Sequence, residues 1–484
     1  MRFLFLSLLF VGLSVLSGYG QNISPLDFGL GDAKNGMEVY DILVKTHKYA
    51  ASYGKGVTYE GIHNLTIEIP PRPESIPLSN NTDFAGLSLT VVNKQKDIPL
   101  FVMNNRAKST RVSKKNIKRG NFRNINELRR GYKLLVIKDE TPWVNNRKGY
   151  RYGAIRHDIL LLKNGKAQNT TIQSYMTTES VPVATYYDVD ISSKTIKNLH
   201  FIRSAQSTRI TNFVSLTGQN NVKISDITIE TPPSELYGDR AIMINDATNI
   251  IVEDVTINGT YSKKDEYGYG VSMNNVYNSR FVRLVANCNW GVFGNNNINT
   301  VNIEDSDINR FDIHCYGKDV SCQKTVFRDL YNQFSSFYGK LFFKDCQFKH
   351  FVPVLFESTY SAYTFFNLIF EDCSIEVDPK RPYLIRVGKM ETAEYAREEL
   401  SKVEWPNVKI CNMSVMLRDS VNKITIFQVG GDGHEMVFGI DSIIMDKVMF
   451  KPIEPQINLS NIKIRTQKKV SIIVNNCSFK NIIM

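Results

Sequence analysis

From about residue 196 onward a short phrase of fixed polarity returns along the chain: apolar, any, Asp or Asn, any, any, apolar. It reads IKNLHF, ISDITI, VEDVTI, VANCNW, IEDSDI, FRDLYN, FKDCQF, FEDCSI, ICNMSV, IMDKVM and VNNCSF. The acid or amide falls at Asn198, Asp226, Asp254, Asn287, Asp305, Asp329, Asp345, Asp372, Asn412, Asp446 and Asn476, at spacings of 16 to 40 residues. Each phrase is strand-like, and no helical pattern between them is long enough to cover a sheet. Such spacing predicts a parallel β-helix, in which each coil of short strands lies on the one before, with apolar ladders inside and polar positions outside. Five cysteines, Cys288, Cys346, Cys373, Cys411 and Cys477, adjoin the repeated acid or amide, which reads as a ladder of small apolar residues rather than a redox device.

The N-terminal part differs. In ISPLDFGLGDAKNGMEVYDILVKTHKYAASYGKGVTYEG the pattern predicts a strand ending at Asp27 and Phe28, a Gly-rich turn, a helix from about Met37 to Ala51, and a turn at Gly54 and Gly56 into a strand. A helix here would cover the strand edges and core that an open solenoid end exposes. The DFGLGD phrase and the helix after it resemble the start of the pectate-lyase-like right-handed β-helix superfamily, although the usual acidic pair after the turn is missing. The resemblance implies an all-β, right-handed parallel β-helix solenoid with an N-terminal capping helix. That superfamily includes lyases, hydrolases, epimerases, esterases and viral tail proteins, so it implies no single activity.

The first residues, MRFLFLSLLFVGLSVLSGYGQ, have the charge, apolar run and small residues of a secretory signal peptide ending near Gly20, and no later segment is long and apolar enough for a membrane span. The expected organisation is a leader at 1–20, the cap and first coils at 21–100, a basic insertion at 101–150, and coils over 151–484. The insertion carries Lys108, Arg111, Lys114, Lys115, Lys118, Arg119, Arg123, Arg129 and Arg130, which either hold an anionic chain or keep a long loop solvated. The stretch GYRYGAIRHDILLLKNGKAQN after it reads as a strand and turn re-entering the solenoid. With a formal net charge of +11 the chain attracts anions; for an exported protein acidic polysaccharide, rather than nucleic acid, is the expected partner. Seven cysteines are an odd number, no pair has zinc-ligand spacing, and Cys315 and Cys322 either bridge or stay free.

The densest group of reactive side chains is RFDIHCYGKDV, residues 310 to 320. Stacking this stretch on its neighbours by alternation aligns Ile242, Val271, Val292, Ile313 and Val354 in one inward column and Ile244, Met273, Cys315 and Phe356 in the next. Asp312, His314 and Tyr316 then point outward, beside Tyr338 and Lys340 of the next coil, Glu357 of the one after, and Asn245, Asn274 and Asn295 of the coils before. On a uronic-acid polymer β-elimination needs a base, an acid and a group that neutralises the carboxylate. The candidates are His314 or Tyr316 as base, Tyr338 or Tyr316 as acid, and Lys340 or Lys318 as cation. Asn274, Asn295, Lys318, Glu357 and Tyr269 are candidate substrate contacts, Tyr269 lying in a YGYG run that reads either as a sugar-stacking platform or as a Gly-rich corner.

Three other readings stay open. Asp312 and Glu357, roughly 9 to 10 Å apart as two strand spacings, suit an inverting hydrolase, although N-T-D, D-D and G-H-G phrases of polygalacturonase type are incomplete. The run Asp312-Ile313-His314-Cys315 resembles the D-P-H-D motif of periplasmic alginate C5-epimerases at its first and third positions only. A non-catalytic, polysaccharide-binding or adhesive β-helix uses the same face without turnover, while a viral-type tail protein is disfavoured by the leader. No cofactor is demanded; calcium is admitted, as in several lyases of the superfamily, but no cluster of aspartates calls for it.

Overall fold

The computed structural model describes residues 22–78, 80–144, 154–170, 183–232, 240–259, 269–287, 291–328, 331–334, 337–349, 352–356, 364–387, 403–417, 421–429, 438–459 and 471–483. The expected leader, Cys288, Asp329 and Glu357 lie outside them. Among the described residues, 30 strands join one sheet and five form a second. In the large sheet each strand pairs in parallel with its equivalent one coil on, which is the parallel β-helix. One buried column runs Ile196, Ile224, Val252, Phe281, Ile303, Cys322, Phe343, Phe370, Ile410 and Met445. No described helix is long and apolar enough to cross a membrane.

The recurring acid or amide marks a corner. Asn198, Asp226, Asp254, Asp305, Asp345, Asp372, Asn412 and Asn476 have φ between 50° and 64°. Asn and Asp tolerate this left-handed conformation better than other non-glycine residues, so the chain turns there between two faces of the coil. Upstream of Asn287 and of the phrase around Asp329 the corner is instead Arg283 (φ 51°) or Lys324 (φ 47°), and beside Asp446 it is Lys447 (φ 53°).

The capping helix spans Gly36–Tyr53, started by Asn35, whose side chain accepts from the amides of Met37 and Glu38, and stopped by Gly54 at φ 64°. It buries Tyr40, Leu43, Val44, His47 and Ala50 on the first coils. Where a strand was expected up to Asp27 and Phe28, Pro25–Phe28 forms a 3-10 turn. Pro25 fits the first helical position, and Ser24 and Asp27 cap each other's backbone.

The second sheet is antiparallel and built from Lys108–Arg111, Tyr132–Val144, Ala154–Lys163, Lys166–Ala167 and Val183–Asp188. Residues 154–170 therefore do not rejoin the coils as the sequence suggested; the solenoid resumes at Lys194–Arg203, which pairs with Thr82–Val92 of the second coil. The run Ile159-Leu160-Leu161-Leu162 explains this, because it is apolar on both sides of a strand and must be covered twice. Leu160 and Leu162 meet Val112, Ile117, Phe122 and Leu128 of the basic segment. On the other side Ile159 and Leu161 pack with Leu134, Val136, Tyr187 and Val189 against Tyr277 of the solenoid.

Candidate functional site

The strands Tyr269–Val282, Gly291–Glu304 and Phe311–Gln323 lie side by side beneath the candidate residues. Their register differs from simple alternation. Val271 pairs with Phe293, and Phe293 with Phe311, while Ile313 continues the neighbouring column of Met273 and Asn295. One residue later Asn296 pairs with Cys315, so His314 is an extra residue in a β-bulge. A bulge re-aims side chains, and it shifts everything after it by one place. Independently of the bulge, Asn296, not Asn295, pairs with Asn274 and extends the outer row of Asn245 and Asn274. Its side-chain amide donates to Asn274 Oδ1 at 2.9 Å, and Asn274 donates to Asn245 Oδ1 at 3.0 Å. Cys315, expected in an inward column, takes its register position in this amide row.

His314 and Tyr269 meet. The Tyr269 hydroxyl and His314 Nε2 are 2.9 Å apart, with ring centroids at 5.6 Å in an edge-on arrangement. Both side chains are half-buried. They come from strands two places apart, a separation of roughly 9.6 Å, so the tyrosine must cross the intervening strand. It does so over Gly294, where a Cβ would stand 2.5 Å from Tyr269 Cδ2 and 2.6 Å from its Cγ. Only glycine leaves that space.

Asp312 is not available as an outward acid. It alternates with the core residues Phe311 and Ile313, but its side chain is 0 % exposed and Arg310 beside it 3 %. Arg310 Nε donates to Asp312 Oδ1 at 2.9 Å and Nη2 to Oδ2 at 2.5 Å, with Gln333 Oε1 3.4 Å from the same nitrogen. A buried carboxylate needs this pairing to remain charged, which gives Asp312 a structural duty.

The remaining candidates do not share one face. Lys318 and Tyr338 pair on the short strand segment after the next corner. Lys318 Nζ donates to Thr170 Oγ1 of the antiparallel sheet at 2.8 Å. Lys340 lies past a further corner, at Gly339 (φ 76°), with its amide held by Asp319 Oδ1 at 2.9 Å and its ammonium 4.0 Å from the Phe342 ring centroid. The side chains of Asn295, Cys315 and Tyr316, and all of Glu357, lie outside the described residues. Cys322 is a free, buried thiol in the core, so no bridge to Cys315 forms.

The antiparallel sheet walls one side of this region through polar contacts to the corner residues. Tyr187 donates to Asp246 Oδ2 at 2.5 Å, and His157 Nδ1 lies 3.3 Å from Asn275 Oδ1. Burial, with Lys138 adding to it, holds the His157 pKa below its ordinary value. Burial, reinforced by Asp246, raises that of Tyr187. No group of three or more His, Cys, Asp or Glu that could hold a metal ion occurs among the described residues. Sequence reasoning missed Gly294, Asn296, Arg310 and Thr170. Arg310 alone carried a signal, because residues two apart on a strand share a side.

No protein-family model matches the chain, and no curated protein matches it by sequence. Among solved structures, the Gp54 tailspike of Acinetobacter baumannii bacteriophage AP22, in complex with A. baumannii capsular saccharide, aligns with a TM-score of 0.52 and 12 % identity, over 93 % of this chain and 79 % of that one. The Pseudomonas phage phi297 tailspike aligns at 0.46 and 8 %, over 89 % and 80 %. The A-module of the Azotobacter vinelandii mannuronan C-5 epimerase AlgE6 aligns at 0.40 and 8 %, over 95 % and 99 %. At such identities likeness fixes the fold, a right-handed parallel β-helix, and nothing of the chemistry.

Proposed function

We propose that this chain is an exported β-helix enzyme that cleaves an acidic polysaccharide by β-elimination at the His314–Tyr269 pair. The observation that carries the reading is the 2.9 Å contact between the Tyr269 hydroxyl and His314 Nε2 on the outer side of a rigid stack of coils. The saccharide bound by the AP22 tailspike on the same fold supports a long glycan as ligand, and the net charge of +11 supports an acidic one.

The chemistry fits two proton-exchanging groups in contact. Elimination breaks the C5–H and C4–O4 bonds of a uronate and forms a C4=C5 double bond. Tyr269, with its own proton passed to His314 Nε2, takes the proton from C5. The departing O4 takes a proton back from the pair, which returns to its starting state. Lys318, anchored to Thr170 one corner along the strand, is the cation for the substrate carboxylate. The row Asn245, Asn274 and Asn296 offers hydrogen bonds to hydroxyls along the chain. A paired-carboxylate hydrolase is the weaker reading, because Asp312 is sealed by Arg310.

The test is a panel of polyuronates, read by the ultraviolet absorbance of the unsaturated product and by product mass. His314→Ala and Tyr269→Phe should each lower the rate by about 10²- to 10⁴-fold, the usual contribution of a proton-transfer group. Reducing ends without unsaturated product would move the assignment to hydrolysis. Binding without any product would leave an adhesive β-helix.

A further inference from the structure

The positive charge of this chain is concentrated in one place. Residues 105 to 131 hold ten Lys and Arg against a single acid, Glu127, so they supply nearly all of the net +11. The architecture displays these cations outward. Val112, Ile117, Phe122 and Leu128 of the same segment are buried on the antiparallel sheet, whose opposite side packs on the solenoid. The order of layers is therefore solenoid, sheet, then basic segment, with solvent beyond. The short helix Lys114–Arg119, capped by Ser113 and Gly120, presents Lys115, Lys118 and Arg119 exposed. Among the ten, only Lys108 forms an ion pair among the described residues, with Asp188. The Arg123 side chain donates to the Asn164 carbonyl, at 3.4 Å.

A folded layer of this composition is costly to assemble without a partner, since like charges repel. We infer that the outer layer of the insertion is a second glycan-binding surface, an electrostatic anchor for polyanionic polysaccharide that is separate from the His314–Tyr269 pair. The choice of glycan rests on the function proposed above; the charged surface itself does not. Single-stranded nucleic acid fits less well, because Phe122, the sole aromatic residue of the segment, is buried and leaves no stacking platform. A lipid surface fits less well too, because the apolar side chains face the sheet rather than solvent.

The experiment compares the full chain with a triple variant, Lys115→Gln, Lys118→Gln and Arg119→Gln, whose side chains are exposed and leave the buried layer intact. Binding to long-chain polygalacturonate is measured across salt concentration, with a neutral glucan, duplex DNA and anionic phospholipid vesicles as further arms. If about four carboxylates are neutralised, the slope of log affinity against log salt is about −3, close to a 60-fold loss over a fourfold rise in salt. The triple variant should flatten that slope by about 2. Its turnover of short oligouronides should equal that of the parent, whereas His314→Ala should bind the polymer as the parent does and turn it over about 10²- to 10⁴-fold more slowly. An unchanged slope in the triple variant, equal binding of the neutral glucan, or tighter binding of DNA or vesicles would overturn the anchor. Loss of turnover in the parent would overturn the lyase instead.

Discussion

Gly294→Ala isolates the geometry on which the candidate site depends. The backbone at Gly294 does not have positive φ, so alanine is allowed there and by itself should stabilise the chain by about 0.4–1 kcal/mol through the unfolded state. Against that, the new Cβ would stand 2.5 Å from Tyr269 Cδ2 and 2.6 Å from Cγ. Those atoms belong to the near part of the ring, so the whole ring must swing away. Its hydroxyl then leaves His314, losing about 1 kcal/mol of hydrogen bond, on top of roughly 1–3 kcal/mol for overpacking. A net destabilisation of about 1–3 kcal/mol follows. Denaturant unfolding of four proteins (parent, Gly294→Ala, Tyr269→Ala and the double variant) measures it as a cycle. In the Tyr269→Ala background the cost should vanish and the small gain from alanine should remain. Equal costs in the two backgrounds would show that the ring does not occupy that space, and the His314–Tyr269 pair would lose its structural basis.

Other consequences are as direct. Asp312→Asn leaves the buried Arg310 guanidinium without its counter-charge and should cost about 3–5 kcal/mol in denaturant unfolding; the double change Arg310→Met with Asp312→Leu should recover most of it. A catalytic Asp312 would instead lose rate with stability intact. His47 is fully buried against the Tyr59 hydroxyl at 2.9 Å, and burial lowers its pKa from 6.5 to about 3. The unfolded chain then binds the extra proton between those values. The contribution is thus complete above about pH 6.5 and falls by about 1.4 kcal/mol per pH unit below it, so that the loss is about 3 kcal/mol at about pH 4.5. His47→Gln should remove that part of the acid sensitivity, measured as the difference in denaturant midpoint between neutral and acid buffer; an unchanged difference would refute it. Burial pushes the thiols of Cys322 and Cys346 up, so a maleimide should label them only on the unfolding timescale, and immediate labelling in the native state would contradict their place in the core ladder.

The repeat was legible, though not its role at the corners, because one physical constraint recurs: left-handed backbone selects Asn and Asp, and eight of the eleven repeated residues occupy it. The capping helix was legible for a similar reason, having a capping Asn35 and a stopping Gly54. The register at the site was not. Alternation put Val292 and Ile313 opposite Val271, where Phe293 and Phe311 stand, because several apolar residues in each strand fit the column equally well; the bulge at His314 then changes the alternation by one residue, which moves Cys315 out of the inward columns and into the amide row. The basic insertion was seen as charge but not as structure, because Ile159-Leu160-Leu161-Leu162 fits a buried coil strand as well as the middle layer of a sandwich. Only the apolar residues spaced among the cations, Val112, Ile117, Phe122 and Leu128, hinted that the charged segment had something to cover.

Coil length adds a further reason for the site to lie where it does. Successive positions of the core column are 28 and 29 residues apart from Ile224 to Val252 and Phe281. They then close to 22, 19 and 21 through Ile303, Cys322 and Phe343, before opening to 27 and 40 at Phe370 and Ile410. The shortest coil is the one that carries His314. A coil with few residues to spare has little loop to lay over its own outer side, yet this one gives a residue to a bulge. The tight coil and the bulge together hold an imidazole half-exposed, in contact with a tyrosine that reaches it only because the strand between is glycine. Each of these features alone is ordinary in a solenoid. Their coincidence on adjacent strands is what the site proposed above requires, whereas packing alone would be served as well by a longer coil and an apolar side chain.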